Sequence, residues 1–155
     1  MSRQRIENSF RATALRLGCG SVRGFDAEGI CTIAFGAKGV PSVHLVLDDE
    51  NGCLDIFSEI GFVPAGRESL YRDLLRENLF CARTKGAAFA VDDRSGAVIL
   101  QRTVDVARLD DEGEFLAGAI VAFVSVSIGA RRRLLDACRE SGEDVPREAP
   151  FMQVI

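Results

Sequence analysis

Residues 67–103 read RESLYRDLLRENLFCARTKGAAFAVDDRSGAVILQRT, in which a helical pattern is followed by a β-hairpin pattern. Apolar residues recur three and four positions apart through residues 70–79, which predicts an amphipathic helix with one side against the protein. The Lys-Gly step that follows is expected to end this helix. Two short runs rich in Val, Ile and Phe, 87–91 and 97–103, then flank five polar residues, which predicts a hairpin with a longer loop.

The composition is that of an ordinary globular protein. The chain has 155 residues, 47% of them hydrophobic, so one domain over residues 1–139 can bury a core without metal or disulfide support. Residues 140–155 contain two prolines and no period, which predicts a mobile tail. The net charge of -4 argues against nucleic acid or an anionic membrane as a partner, because both require an excess of Lys and Arg.

Targeting and metal-binding signals are absent from the sequence. The first residues are charged, which argues against a signal peptide and predicts a cytoplasmic protein. The longest uncharged run, 115–130, is shorter than the roughly 20 apolar residues that span a bilayer. Five scattered cysteines and one histidine offer no metal-ligand spacing, so no metal site and no cofactor are expected.

The first half of the chain predicts one helix and a three-strand meander. Residues 3–17 have apolar positions at helical spacing, and Gly18 is expected to end that helix. From residue 28 the period changes to two, which predicts strands over 31–35, 43–48 and 53–60, separated by turns.

The last helix has a start signal of its own. Asp111 lies three residues before Glu114, which resembles a capping box and predicts a helix through about Cys138 despite many β-branched residues. The three arginines at 131–133 are expected near its C-terminal end, where positive charge suits the helix dipole.

Catalytic constellations are scarce. His44 is expected on the solvent side of its strand, and a small enzyme that uses His44 with Asp48 is one alternative interpretation. The acidic pairs fall in turns or at a helix start, where Asp is favoured for backbone hydrogen bonds. A second alternative is an α+β small-ligand-binding or scaffold module. We expect no catalytic residues, and the protein is not expected to be an enzyme.

The elements together predict an α+β fold, in which three helices accompany an antiparallel twisted sheet made of a three-strand meander plus a hairpin, in the order α-β-β-β-α-β-β-α. Four segments carry a further likeness: FDAEGICTI at 25–33, RENLF at 76–80, GAAFAVDDRSGAVIL at 86–100 and LD at 109–110. With the element order, the small size and the acidic composition, they resemble the class I type III secretion chaperones, the Tir chaperone family. The resemblance spans roughly residues 6–135.

The resemblance implies a bacterial, cytoplasmic homodimer without catalytic activity or cofactor. Such a chaperone binds the N-terminal region of one or more secreted effectors in extended form, and the ATPase of the secretion system is a further candidate partner. An extended client can add a strand to a sheet edge and place alternate side chains in pockets.

Two sets of residues follow as candidates. For client binding they are Ile6, Phe10, Leu17, Ile33, Phe35, Val43 and Leu45, each of which is equally consistent with a place in the monomer core. For the dimer interface they are Leu70, Tyr71, Leu74, Leu75, Phe89 and Leu100.

Overall fold

Three helices and five strands follow one another in the predicted order in the computed structural model, which describes residues 3–19 and 22–142. The elements are α1 (Arg3–Arg16), β1 (Ile30–Ile33), β2 (Val43–Asp48), β3 (Cys53–Gly61), α2 (Ser69–Glu77), β4 (Ala88–Val91), β5 (Val98–Asp105) and α3 (Glu114–Ser141). Single turns of 3-10 helix follow α2 and β5. The predicted α+β class is confirmed. The predicted tail falls outside the described residues from position 143 onward.

The five strands form one antiparallel sheet with the order β1-β2-β3-β5-β4. Because the meander and the hairpin join through β3 and β5, the edges of the sheet are β1 and β4. α3 packs across the central strand β3, and α1 packs against α3.

The core lies between α3 and one face of the sheet. Side chains at alternate positions of β2, β3 and β5 are buried there, as the period of two predicts. From α3 the large core side chains are Leu116, Ile120, Phe123 and Leu134. The buried side chains of α3 recur at the helical period. Their burial against the sheet stabilises this run as a helix although it is rich in β-branched residues.

By length and composition α3 could also cross a membrane, the one helix in the described part of the chain for which this holds. The buried central helix of a globular protein meets the same criterion, and here α3 is buried along one side by the sheet and α1.

The start of α3 differs from the prediction. The helix is capped by Gly113, and it is Asp110 that accepts hydrogen bonds from the backbone N–H of Glu114 (2.9 Å) and Phe115 (2.8 Å). Asp111 pairs instead with Arg5 of α1 at 3.0 Å. The predicted capping box at Asp111 is therefore wrong by one residue, because the turn at 110–113 brings the earlier carboxylate over the helix end.

α2 is shorter than its apolar pattern predicted. It ends at Glu77 with Asn78 as its C-cap, and the next turn is a 3-10 helix broken by left-handed backbone at Phe80 (φ 61°) and Cys81 (φ 49°). A non-glycine residue in this region costs about 1–2 kcal/mol, and the hydrogen bonds of the neighbouring Asn78 side chain to Phe89 fix the chain at this point. The expected stop at Lys85 and Gly86 lies eight residues too late.

Candidate functional site

The only histidine is buried, not solvent-facing as predicted. His44 is 8% exposed, its Nδ1 lies 2.9 Å from the Thr32 hydroxyl, and its ring stacks on Phe57 with centroids 5.2 Å apart. Burial lowers the pKa of His44. Asp48 accepts hydrogen bonds from Asn51 in the following turn, and these bonds hold its pKa below the ordinary value. The two side chains have separate structural roles.

Most of the candidate client-binding residues lie in the core. Five of them are at most 3% exposed: Ile6, Phe10, Ile33, Val43 and Leu45. Their side chains pack between the sheet and the helices, so a client would reach them only if the core opened. Leu17 and Phe35 are half-buried and pack against the core, with Phe35 two residues beyond the end of β1. These two keep an accessible surface, and their contact with a client stays a prediction.

A groove lined by both apolar and charged side chains opens on the outer side of α1. It has a volume of about 350 Å³ and lies between α1 and the segment 22–25. Leu15 forms one wall and is 68% exposed, while Phe25 forms the other and packs on Phe10 at 5.1 Å between ring centroids. Arg11 lies beside Leu15 at the exposed rim. The groove has room for an apolar side chain. The candidate list omitted Leu15, although the helical pattern placed it at the margin of the apolar stripe of this helix.

At the β1 edge of the sheet, the outward backbone groups are hydrogen-bonded within the protein at the start of the strand, and the strand is exposed toward its end. The Ile30 N–H donates to the Asp26 side chain at 2.7 Å, and the Ile30 carbonyl accepts from the Asp26 N–H at 2.9 Å. Asp26 thus occupies the place of a neighbouring strand. Thr32 is the next residue of the same phase, since alternate residues of an antiparallel strand point their polar groups outward. It is exposed, and Phe35 lies just beyond it.

The β4 edge is closed over two successive outward positions. Asn78 donates from its side-chain amide to the Phe89 carbonyl (2.9 Å) and accepts from the Phe89 N–H (2.7 Å). Thr84 bonds Ala87 with one backbone and one side-chain group. Its backbone carbonyl accepts from the Ala87 N–H (3.1 Å), and its hydroxyl donates to the Ala87 carbonyl (2.5 Å). An exposed edge invites pairing with another chain, and here the protein's own polar groups occupy it.

Beside this edge lies a surface to which α2, the turn after it and β4 contribute exposed apolar side chains. We call it the α2–β4 face and define it by the exposed side chains Leu75, Leu79, Phe80 and Val91. Phe80 is 90% exposed. The face also contains a groove of about 340 Å³ between α2 and the hairpin, lined mainly by Tyr71, Leu74, Leu75, Phe89, Val91 and Val98.

The candidate dimer residues divide between this face and the core. Leu75 is 65% exposed, and Leu70 and Tyr71 are half-buried. Leu74 and Phe89 are nearly buried but line the groove. Leu100 is fully buried between the sheet and the helices, so it supports the face without forming its surface. The prediction omitted Leu79, Phe80 and Val91, although Leu79 continues the apolar pattern of α2.

At least one of the three arginines at 131–133 forms a contact within its own chain. Arg133 forms a bidentate ion pair with Glu77 of α2, and one of its two hydrogen bonds is 3.1 Å long. The pair raises the pKa of the Arg133 guanidinium above its ordinary value. Arg132 pairs weakly with Asp136 within α3. In residues 3–19 and 22–142 no three His, Cys, Asp or Glu side chains lie together in a geometry that could hold a metal ion.

Comparison with known families decides between the interpretations that the residues leave open. The Tir chaperone protein (CesT) family matches residues 11–127, three quarters of the chain. The chain belongs to this family. It is therefore a type III secretion chaperone by family, and the family is one of chaperones rather than enzymes. The matched region contains α1 from Arg11 onward, the whole sheet and α2.

Solved structures of similar fold agree with this family. A chain of the ExsC–ExsE complex covers 86% of this sequence and 97% of its own, with 21% identity and a TM-score of 0.70. A chain of the HopA1–SchA chaperone–effector complex has 13% identity and a TM-score of 0.64, and the match covers 85% of this chain and 98% of that one. The Yersinia pestis type III secretion chaperone SycH, solved with a fragment of YscM2, has 20% identity and a TM-score of 0.60. The match covers 80% of this chain and 98% of that one. No curated protein matches the sequence significantly.

Proposed function

We propose that this protein is a cytoplasmic export chaperone that binds the N-terminal region of one or more type III secretion effectors in extended form, which keeps them soluble and ready for export. The observation that carries the proposal is the family match over residues 11–127. The groove on α1, with Leu15 and Phe25 in its lining, and the exposed end of the β1 edge at Thr32 support it, because an extended peptide uses both kinds of surface.

The client lies along the first half of the chain. Its backbone pairs with β1 from Thr32 onward, where the closure by Asp26 ends. One of its apolar side chains enters the groove between Leu15 and Phe25, and others contact Phe35 and Leu17. At the other edge Asn78 and Thr84 already bond the outward backbone groups of Phe89 and Ala87, which leaves less of β4 for a client strand.

The working form is a homodimer that catalyses no reaction and carries no cofactor, with the ATPase of the secretion system as a further partner. Support for the dimer comes from the α2–β4 face, which leaves four large apolar side chains in solvent in one chain. Support for a role without catalysis comes from His44, which is buried against Phe57 and hydrogen-bonded to Thr32.

The test is client capture by the tagged protein in the bacterium that encodes it, followed by mass spectrometry of the bound proteins. Leu15→Glu places a charge at the exposed wall of the groove and should reduce the captured effector by about tenfold or more, the loss of one good apolar anchor. Val121→Glu is the matched control, since Val121 is similarly exposed (58%) but lies on α3. Equal capture by the two variants would contradict the groove, and no specific capture by the wild type would contradict the function.

A further inference from the structure

The outward side of α3 carries fewer charges than the exposed sides of α1 and α2. No charged residue stands between Glu114 and Arg131, although Val121 is 58% exposed and Ile128 is 39% exposed in this interval. The exposed positions of α1 and α2 are mostly charged or polar. Since a surface helix normally turns charged side chains to water, the outward side of α3 has the composition of a contact surface.

Six exposed residues of α3 follow one line along the helix. Successive members are four, three, four, three and four positions apart, which is the spacing of a coiled-coil seam. At about 1.5 Å per residue the line is roughly 27 Å long. We call this line the α3 stripe, and its members are Glu114, Gly118, Val121, Ser125, Ile128 and Arg132.

The α3 stripe is complementary to itself when two copies run antiparallel. A two-fold axis at the level of residue 123 makes the first member of the stripe in one copy face the last member in the other. Opposite charges then meet at both ends, and a large side chain meets a small one at each position between. The facing pairs are Glu114 with Arg132, Gly118 with Ile128, and Val121 with Ser125. A parallel pair would instead bring like charges together at each end.

The surroundings of the stripe leave room for a second helix. A Cβ atom added at Gly118 would have nothing of the described chain within 4 Å, so the space above Gly118 is open to a side chain of another copy. The Arg132 side chain is 85% exposed, and its ion pair with Asp136 is long, at 4.0 Å. This guanidinium is therefore available to a carboxylate of a second copy.

We propose that the α3 stripe is a second self-association surface, through which two copies pack their α3 helices antiparallel about a two-fold axis. The contact is separate from the homodimer of the proposed function, because no residue of the stripe belongs to the α2–β4 face, and it does not depend on the chaperone role. One helix from each copy buries less area than a standard interface, so the contact is weak and forms at high concentration. Two different two-fold contacts on one chain join its dimers into larger assemblies.

The first test is the concentration dependence of the mass, measured by light scattering. From low to high micromolar concentration, the average mass of the wild type should rise toward twice its starting value. Gly118→Arg places a charge opposite the apolar Ile128 of the other copy, so it should raise the dissociation constant of this step by at least about tenfold. The substitution meets no atom of its own chain and favours the helix, so circular dichroism should show an unchanged fold.

Ala37→Arg, in the exposed turn between β1 and β2, is the matched control and should associate like the wild type. A wild type whose mass stays constant would overturn the proposal, as would a Gly118→Arg protein that associates equally well. Val121→Glu, the control for client capture, should lose this contact and keep its client, because the α3 stripe contributes no residue to the α1 groove.

The second test exchanges the charges at the ends of the stripe. Glu114→Arg and Arg132→Glu each put like charges opposite one another at both ends of the contact, so each should weaken the association by about fivefold or more. The double variant pairs the charges in reverse and should restore the wild-type dissociation constant. Because damage within one chain would not be repaired in this way, a double variant no stronger than the single variants would overturn the inference.

The third test reads the direction of the helices. With the photoreactive analogue p-benzoylphenylalanine in place of Ile128, illumination at high concentration should yield a covalent dimer whose crosslink lies on residues 114–121 of the other copy. Crosslinks on residues 125–132 would mean a parallel pair, and crosslinks outside α3 would mean another surface. Either result would overturn the proposal.

Discussion

Gly113 shows how much of this fold depends on one residue at the junction of α1 and α3. A Cβ atom there would lie 2.4 Å from the Thr13 nitrogen and 2.8 Å from the Ser9 carbonyl oxygen, and the backbone φ is +70°. Both facts require glycine. The sequence alone showed only a glycine before a helix, because the close approach involves a residue 100 positions away.

Gly113→Ala should therefore destabilise the protein strongly. Left-handed backbone alone costs about 1–2 kcal/mol, and overpacking adds about 1–3 kcal/mol, so we expect a loss of at least about 2 kcal/mol in urea unfolding. Gly36→Ala is the matched control, because Gly36 has φ +66° with nothing within 4 Å of the added Cβ. Equal losses in the two variants would show that the contact with α1 is not tight.

His44 links stability to pH. Its pKa is lowered by burial, so the unfolded chain takes up a proton near the ordinary value of 6.5 while the folded chain stays neutral. Stability should fall as pH decreases from 6.5 toward the lowered pKa. Hydrogen bonds hold down the pKa values of the carboxyls of Asp48, Asp92 and Asp110. These groups lower the stability only at more acidic pH, below about 3.8, where the unfolded chain takes up protons first.

The measurement is the melting temperature between pH 7.5 and 5 for the wild type and His44→Gln. The glutamine amide can still bond Thr32 but does not titrate, so the variant should lose most of the slope in this range. A slope that persists in His44→Gln would assign the effect to other groups.

At the scale of elements, the sequence predicted which segments are helices and strands better than it predicted their ends. The periods of α3 and of β2 and β3 gave their type and their buried face, because burial imposes the period directly. The end of α2 was wrong, because Asn78 stood within the apolar pattern and its amide contacts a strand eleven residues later. The candidate client-binding residues stay a prediction. An alternating pattern shows which side chains share a face, and five of the seven candidates are buried in the core of one chain.

The contact between α2 and β4 depends on Asn78, which gives an element-level prediction. Asn78→Ala removes two hydrogen bonds to Phe89 and leaves a half-buried N–H and carbonyl without them, so it should destabilise the protein by about 2–3 kcal/mol and increase hydrogen exchange of the Phe89 amide. Asn51→Ala is the control, since Asn51 bonds only the exposed Asp48 in its turn. A loss below about 0.5 kcal/mol in Asn78→Ala would mean that β4 is held by β5 alone.

At the scale of the whole molecule, the two edges of the sheet differ in how far the protein's own groups bond their outward backbone atoms. At β1 Asp26 bonds only Ile30, and Thr32 beyond it is exposed, whereas at the β4 edge Asn78 and Thr84 bond two successive outward positions, Phe89 and Ala87. The resemblance in the sequence predicted the family, which is confirmed. It also predicted that the protein needs one surface for its client and another for a second copy of the chain. It could not place them, because each depends on exposure and on side-chain hydrogen bonds that no local pattern records.

The most direct measurement is hydrogen exchange of an effector captured by this protein, compared with the same effector alone. Bound in extended form, its N-terminal segment should show protection confined to a short run that pairs with the β1 edge, with fast exchange in the flanking residues of that segment. Binding should weaken only slightly with salt, because apolar anchors and backbone hydrogen bonds carry it. Protection throughout the segment, as in a folded domain, would contradict the account, and so would protection that is the same in complexes with the wild type and Leu15→Glu.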